Sequence, residues 1–204
     1  MFRIPRTFLI AAFFVAGPAL AQTQDKEAVT FEEVERGLYV GASAGPFFIL
    51  NAPAPDGVAR PLAPGQSGAV EVGFDFGEVV SVGVFLQGTA NRAGQDYRGL
   101  GDGIQSGDFS ALIPGAAIKV NLVGFADAQQ TRRTFLFLRA GAGYAMFAPV
   151  QLLPDPDILV FGGAGVEYYT RLRHFSIGLE LAGSFLVGSG AVGISLMPNL
   201  RYAF

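Results

Sequence analysis

The chain has 204 residues, half of them apolar and only 15% charged, with a formal net charge of −3. That balance argues against nucleic acid as a partner. Cysteine is absent, which excludes a lipoprotein anchor, disulfides, thiolate metal sites and thiol catalysis.

Residues 1–21 carry Arg3 and Arg6, then the apolar run Phe8 to Val15, then Ala19-Leu20-Ala21. A basic, an apolar and a small-residue region in that order predict a secretory signal peptide cleaved after Ala21. Arg3 and Arg6 leave with it, so the mature chain keeps 12 of the 14 basic side chains against 17 acidic ones. Residues 22–37, QTQDKEAVTFEEVERG, form an acidic segment expected in the periplasm. Thr30 followed by Glu33 matches a helix capping box, so the segment reads either as a short helix or as a mobile tether.

Between residues 38 and 204 lie segments in which apolar residues recur at every second position, the period of a strand with one oily face. Eight segments follow: 38–48, 68–76, 79–91, 109–122, 134–147, 158–170, 174–187 and 191–204. The stretch 174–196 rivals them as a membrane helix, but it holds Glu180 and five glycines, and Phe175, Ile177, Leu179, Leu181 and Phe185 share one parity. The expected fold is therefore all-β, an eight-stranded antiparallel up-and-down transmembrane barrel of the Gram-negative outer membrane. An even strand count returns both termini to one side, expected to be periplasmic. The inner turns then fall at 77–78, 123–133 and 171–173, and the outer loops at 49–67, 92–108, 148–157 and 188–190. Most inner turns are tight and most outer loops long, as such barrels prefer, although 123–133 is long and 188–190 short. Pro53, Pro55, Pro61 and Pro64 make the first outer loop extended and stiff.

Parity assigns the faces. Val70, Val72, Phe74 and Phe76 face lipid, as do Val80, Val82, Val84 and Leu86; Ser81, Phe85 and Gln87 face inward. Glu71, Asp75, Lys119, Arg139, Glu167, Glu180 and Arg201 all take the inner parity, where opposite charges can pair. The alternative costs about 2–4 kcal/mol for a cation at the bilayer midplane. An eight-stranded interior is just wide enough for side chains, which favours a filled barrel over a general porin. The inward glycines Gly141, Gly143, Gly163, Gly165 and Gly178 leave a narrow water path open as an alternative. Aromatic girdles are expected from Tyr39, Phe76, Tyr168, Phe175, Tyr202 and Phe204 at the inner edge, and from Phe47, Phe109, Phe147, Phe161 and Phe185 at the outer. Pro114 and Pro198 predict local bulges, because proline removes a ladder donor.

Chemical signals are few. His174 and Ser176 resemble the His-x-Ser pair of outer-membrane lipid A deacylases, in which a serine nucleophile needs an adjacent base, with Glu167 or Glu180 as the orienting group. Against this, His174 falls at a periplasmic turn beside Arg171 and Arg173, whereas lipid A lies in the outer leaflet. Asp96, Asp102 and Asp108 sit among glycines in the second outer loop, but their spacing matches no established calcium motif. GAGYA at 141–145 and GGAGV at 162–166 are strand interiors and not phosphate loops. No catalytic residue, cofactor or metal is predicted.

The end of the chain, NLRYAF, places Leu200, Tyr202 and Phe204 on one parity. This resembles the terminal signature of outer-membrane barrels, which implies recognition by the barrel-insertion machinery. The strings FEEVERGLYVGASAGPFF (31–48), TANRAGQDY (89–97), SGDFS (106–110), NLVGFAD (121–127), AGAGYAMF (140–147) and GVEYYTRLRHFS (165–176) resemble the CglE family of adventurous gliding motility proteins of myxobacteria. The likeness spans nearly all of the mature chain. It implies a non-enzymatic outer-membrane component of contact-dependent gliding, with outer-membrane lipids and periplasmic and outer-membrane motility proteins as partners. The alternatives are a generic small barrel for envelope integrity or surface-ligand binding, a lipid A-modifying hydrolase, and a narrow pore.

Overall fold

A computed structural model describes residues 34–52, 63–93, 107–148, 156–172 and 174–204. Eight strands, β1 (Leu38–Ile49), β2 (Ala63–Phe76), β3 (Val80–Ala93), β4 (Gly107–Ala126), β5 (Arg132–Ala148), β6 (Asp157–Tyr169), β7 (Phe175–Leu186) and β8 (Val192–Ala203), follow one another around a closed barrel. Every pairing is antiparallel, and β8 closes on β1 from Tyr39↔Ala203 to Ile49↔Gly193. The signal peptide region, the Thr30–Glu33 box, Pro53, Pro55, Pro61, Asp96 and Asp102 lie outside the described residues, as do the side chains of Asp108 and Phe109.

Two strands run longer than their alternation suggests. Strand β2 begins at Ala63 and takes in Pro64, although APGQSG carries no apolar alternation. Strand β4 continues to Ala126, which corrects the expected turn 123–133 to 127–131. The reason is a bulge: Asn121 pairs with Phe137 but Val123 with Leu136, so the extra Leu122 lets Leu122 and Val123 both face outward. Asp127 then closes the turn, its Oδ1 accepting the N–H groups of Gln129 (2.9 Å) and Thr131 (3.1 Å) and its Oδ2 the Nε–H of Arg133 (2.9 Å). All three connections at the end where β1 begins and β8 finishes, the terminal end, are therefore tight. At the opposite, loop end, the short β7–β8 connection is held from outside itself. Asp157 accepts from the N–H groups of Gly188 (2.6 Å) and Ser189 (2.9 Å), and Asn51 accepts from Val192 N–H.

The prolines do not produce the expected bulges. The β4–β5 register is the same on both sides of Pro114, between Leu112↔Met146 and Gly115↔Gly143, with the pairs between them missing. The β1–β8 ladder likewise skips from Ser43↔Asn199 to Phe47↔Ser195 around Pro46 and Pro198 without a shift. Each proline withholds a donor from one neighbour while its ladder with the other neighbour stays intact, so the strand need not bulge.

The outward parity is apolar along the middle of the strands, with Val70, Phe76, Val84 and Phe204 each more than half exposed, and turns polar only near strand ends, at Gln66, Arg92, Ser110 and Arg132. The girdle assignment needs correction at four positions. Tyr39, Phe47 and Phe147 are 3–5% exposed and Phe161 is partly buried against the core, because all four take the inner parity of their strands. Phe76, Tyr168, Phe185 and Phe204 do lie on the outer surface, with Phe175 and Tyr202 half-buried there. Inside, the loop-end half holds an apolar cluster beside the buried polar side chains of Ser67, Thr89, Asn91 and Ser195. Phe47, Ile49, Phe85, Ile113, Phe147, Leu159 and Leu186 pack as one cluster, with Phe85 and Phe161 edge to face at 5.7 Å.

Candidate functional site

The terminal half of the lumen is charged, and every strand contributes to it. Glu167 of β6, 1% exposed, is its centre. Its Oε2 lies 2.5 Å from Lys119 Nζ of β4, and its Oε1 accepts from Arg201 of β8 at 3.0 Å and from the Ser176 hydroxyl of β7 at 2.7 Å. Arg201 turns its other amino group to Asp75 of β2 (2.8 Å), which also accepts from the Ser81 hydroxyl of β3. Nearer mid-barrel, Arg139 of β5 reaches Glu71 of β2 (2.5 Å) and Glu180 of β7 (3.4 Å), while the Tyr39 hydroxyl of β1 donates to Glu71. The cations also rest on rings: Arg201 over Tyr39 at 3.7 Å, and Arg139 over Phe161 at 5.1 Å.

All seven charged residues expected inside are there, and each has an opposite charge. Their pairing is across the lumen and not along the ladder. Lys119 and Arg139 are direct cross-strand neighbours, a repulsive placement relieved because each extends to a different carboxylate. Room for these long side chains comes from glycine. A Cβ at Gly83 would collide with the Glu71 carboxylate, one at Gly165 with the Phe137 ring, and one at Gly141 with the Phe161 ring. The inward glycines expected to leave a water path are thus the sockets of larger neighbours. Among the described residues, cavities of about 60 and 50 Å³ are both bordered by Arg139 and Glu180. Each has room for only a few waters, at roughly 10–15 Å³ of such volume apiece.

The His174–Ser176 pair does not assemble. His174 Nδ1 faces the Ala203 carbonyl at 2.8 Å and its ring stacks on Tyr202, whereas Ser176 is buried and bonded to Glu167. Among the described residues no three His, Asp or Glu side chains converge as metal ligands. Of the terminal signature, Leu200 and Phe204 are exposed, and Tyr202 packs edge-on against Phe175 and Phe204 at 5.0 and 5.1 Å. Sequence reasoning missed Arg36, whose guanidinium lies 5.0 Å from the Phe135 ring and 4.9 Å from that of Tyr169. It also missed the neutral members Tyr39 and Ser176 as partners of the charges; their inner parity was the available signal.

A closed ring of eight antiparallel strands, apolar outside and ion-paired within, is an eight-stranded outer-membrane β-barrel, whose surroundings are membrane lipid. No protein-family model matches the chain, and no curated protein matches it in sequence. Among solved structures it is similar to Neisserial surface protein A (NspA), with a TM-score of 0.57 and 15% identity over 84% of this chain and 100% of that one. It is also similar to Ail, the attachment invasion locus protein of Yersinia pestis, at TM-score 0.46 and 16% identity over 84% and 100%. The outer-membrane enzyme PagL follows at 0.42 and 12% over 81% and 99%. At 15% identity the likeness to NspA bears on the fold alone and on nothing about activity.

Proposed function

We propose that the chain is a non-enzymatic outer-membrane barrel, exported by its leader, that holds both termini in the periplasm and acts as an interaction or anchoring component of contact-dependent gliding motility. The observation that carries the non-enzymatic part is the filled lumen. An apolar cluster packs in the loop-end half and an ion-paired network in the terminal half, so among the described residues the interior offers neither an assembled nucleophile–base pair nor a wide passage. Chemistry that differs from one such barrel to another then resides in the connections and the N-terminal segment. The gliding role rests on the resemblance in running sequence along most of the mature chain. On this reading the outer loops meet surface material, and the acidic segment 22–37 or the 127–131 turn meets periplasmic motility proteins.

The test is single-cell gliding speed on a firm surface for a clean deletion in the native organism, beside a complemented strain. Loss of gliding that returns with the gene supports the reading; unchanged speed overturns it.

A further inference from the structure

The way into β1 crosses the mouth of the barrel. Gly37, at φ +132°, turns the chain in a conformation closed to most L-residues, and its carbonyl accepts the Asp75 N–H at 2.8 Å. This elbow sends Arg36 from the β1 side to the far wall, where its guanidinium meets the rings of Phe135 on β5 and Tyr169 on β6, themselves edge to face at 5.7 Å. In a ring of eight strands β5 is diametrically opposite β1. On the way Arg36 donates to the Gly77 carbonyl in the β2–β3 turn, so one side chain touches three sides of the opening.

Beneath it lies an unusual concentration of polar atoms with no hydrogen-bond partner in the protein. Among the described residues six such buried atoms occur, and five belong to this end: Arg36 Nη2, Asp75 Oδ2, Asn121 Oδ1, Tyr169 Oη and Arg201 Nε. Burying polar atoms unpaired is costly, so a native interior concentrates them only where something else satisfies them. The set contains two cationic donors, two acceptors and a hydroxyl that does both. A metal ion would be repelled by the two guanidiniums and an anion by the Asp75 carboxylate, whereas water donates and accepts at once.

We propose that the polar terminal end of the lumen, which includes the cavity of about 60 Å³ bordered by Lys119, Glu167 and Arg201, is a chamber of ordered water retained by Arg36, which acts as a plug carried on the lead into β1. Access to the polar lumen is then controlled by the chain immediately before the barrel and not by the loops at the other end, where the apolar cluster seals the interior. Drawing residues 34–37 out of the mouth opens the chamber to the terminal side while the barrel wall stays intact.

The chain has no cysteine, so a single reporter thiol can be placed behind the plug. Asn121→Cys, with Ser81→Cys as a second reporter, is purified in detergent micelles and reacted with a cationic methanethiosulfonate. Gel mobility before and after heating confirms that each variant is folded. Losing two cation–π contacts should accelerate labelling about tenfold in Arg36→Ala, with Gly37→Val equally fast through strain at the elbow and Arg36→Lys in between. A Glu78→Cys thiol in the exposed turn should react at the same rate with or without Arg36. Equal rates behind the plug in folded Arg36→Ala and its parent overturn the plug, and a crystal structure with that chamber dry overturns the water cluster.

Discussion

Removing the carboxylate of Glu167 is the sharpest test of the ion-paired lumen. Two unit charges in contact attract by roughly 5 kcal/mol at an effective dielectric of about 20, yet each ion costs several kcal/mol to desolvate, so the intact pair is worth little net while a widowed partner is expensive. Glu167→Ala leaves Lys119, whose side chain is 9% exposed, without its carboxylate, and leaves Arg201 with Asp75 alone. The expected loss is about 3–5 kcal/mol. With a urea slope of about 2 kcal/mol per M, the unfolding midpoint falls by roughly 2 M. Lys119→Met should cost less, because Glu167 keeps Arg201 and Ser176, and the double variant Lys119→Met/Glu167→Ala should recover about 1–3 kcal/mol of the sum as coupling. The assay is urea titration of the refolded barrel in lipid, read by the gel mobility of folded and unfolded bands. A Glu167→Ala midpoint within 0.5 M of the parent, roughly 1 kcal/mol on the same slope, or a cycle without coupling, refutes the account.

Val84→Arg places a cation on the outward face at a residue 63% exposed and should cost about 2–4 kcal/mol in the same titration; no change would mean that this face does not meet lipid. In the β4–β5 turn, partial desolvation pushes the Asp127 carboxyl up, but the Thr131 and Gln129 N–H groups and the Arg133 guanidinium outweigh it and hold its pKa below the ordinary carboxylate value. The contribution of that turn is therefore complete above the ordinary range and lost as pH falls through the depressed value, and Asp127→Asn should flatten this part of a stability–pH profile; identical profiles refute it. His174→Ala and Ser176→Ala should leave the lipid A mass spectrum of the host unchanged, and an altered acyl pattern that depends on either residue would establish an enzyme.

Strand number, order and facing were legible because each follows from parity, and lipid admits few exceptions to it. The seven interior charges were legible for the same reason, since a charge on the inner parity has no cheaper place to go. Which charges pair was not, because partners such as Glu71 and Arg139 are 68 residues apart and meet through the tilt and stagger of strands across the lumen. The early start of β2 was hidden because Ala63 to Gly68 offers no oily face to alternate. The end of β4 was hidden because the extra Leu122 breaks the period. Tyr39, Phe47, Phe147 and Phe161 were misplaced when position near a strand end was allowed to override parity. Arg36 carried no local signal at all, since its partners are supplied by β5, β6 and the β2–β3 turn.

The charged interior has a further consequence for how the ring closes. A one-residue slip between strands exchanges their two faces, so slipping β8 would put Arg201 toward lipid and Leu200 into the lumen. The pairing most exposed to such an error is β1–β8, where Pro46 and Pro198 interrupt the ladder and fewer backbone bonds fix the register. Arg201 compensates at that place. It reaches past β1 to Asp75 on β2, an ion pair that spans the closure, and in the other direction to Glu167 on β6, and both pairs form only when β8 sits in one register. A neutral core of equal volume would fill the space as well, but every slipped register would then be cheaper than it is here. The network thus ties β8 to the opposite wall, and Arg201→Met should yield barrels with mixed β1–β8 registers. Crosslinking of cysteine pairs at Ser43 and Asn199, and at Ser43 and Leu200, reads this directly: a single product in the Arg201→Met background, identical to that of the parent, would show that the backbone ladder alone sets the closure.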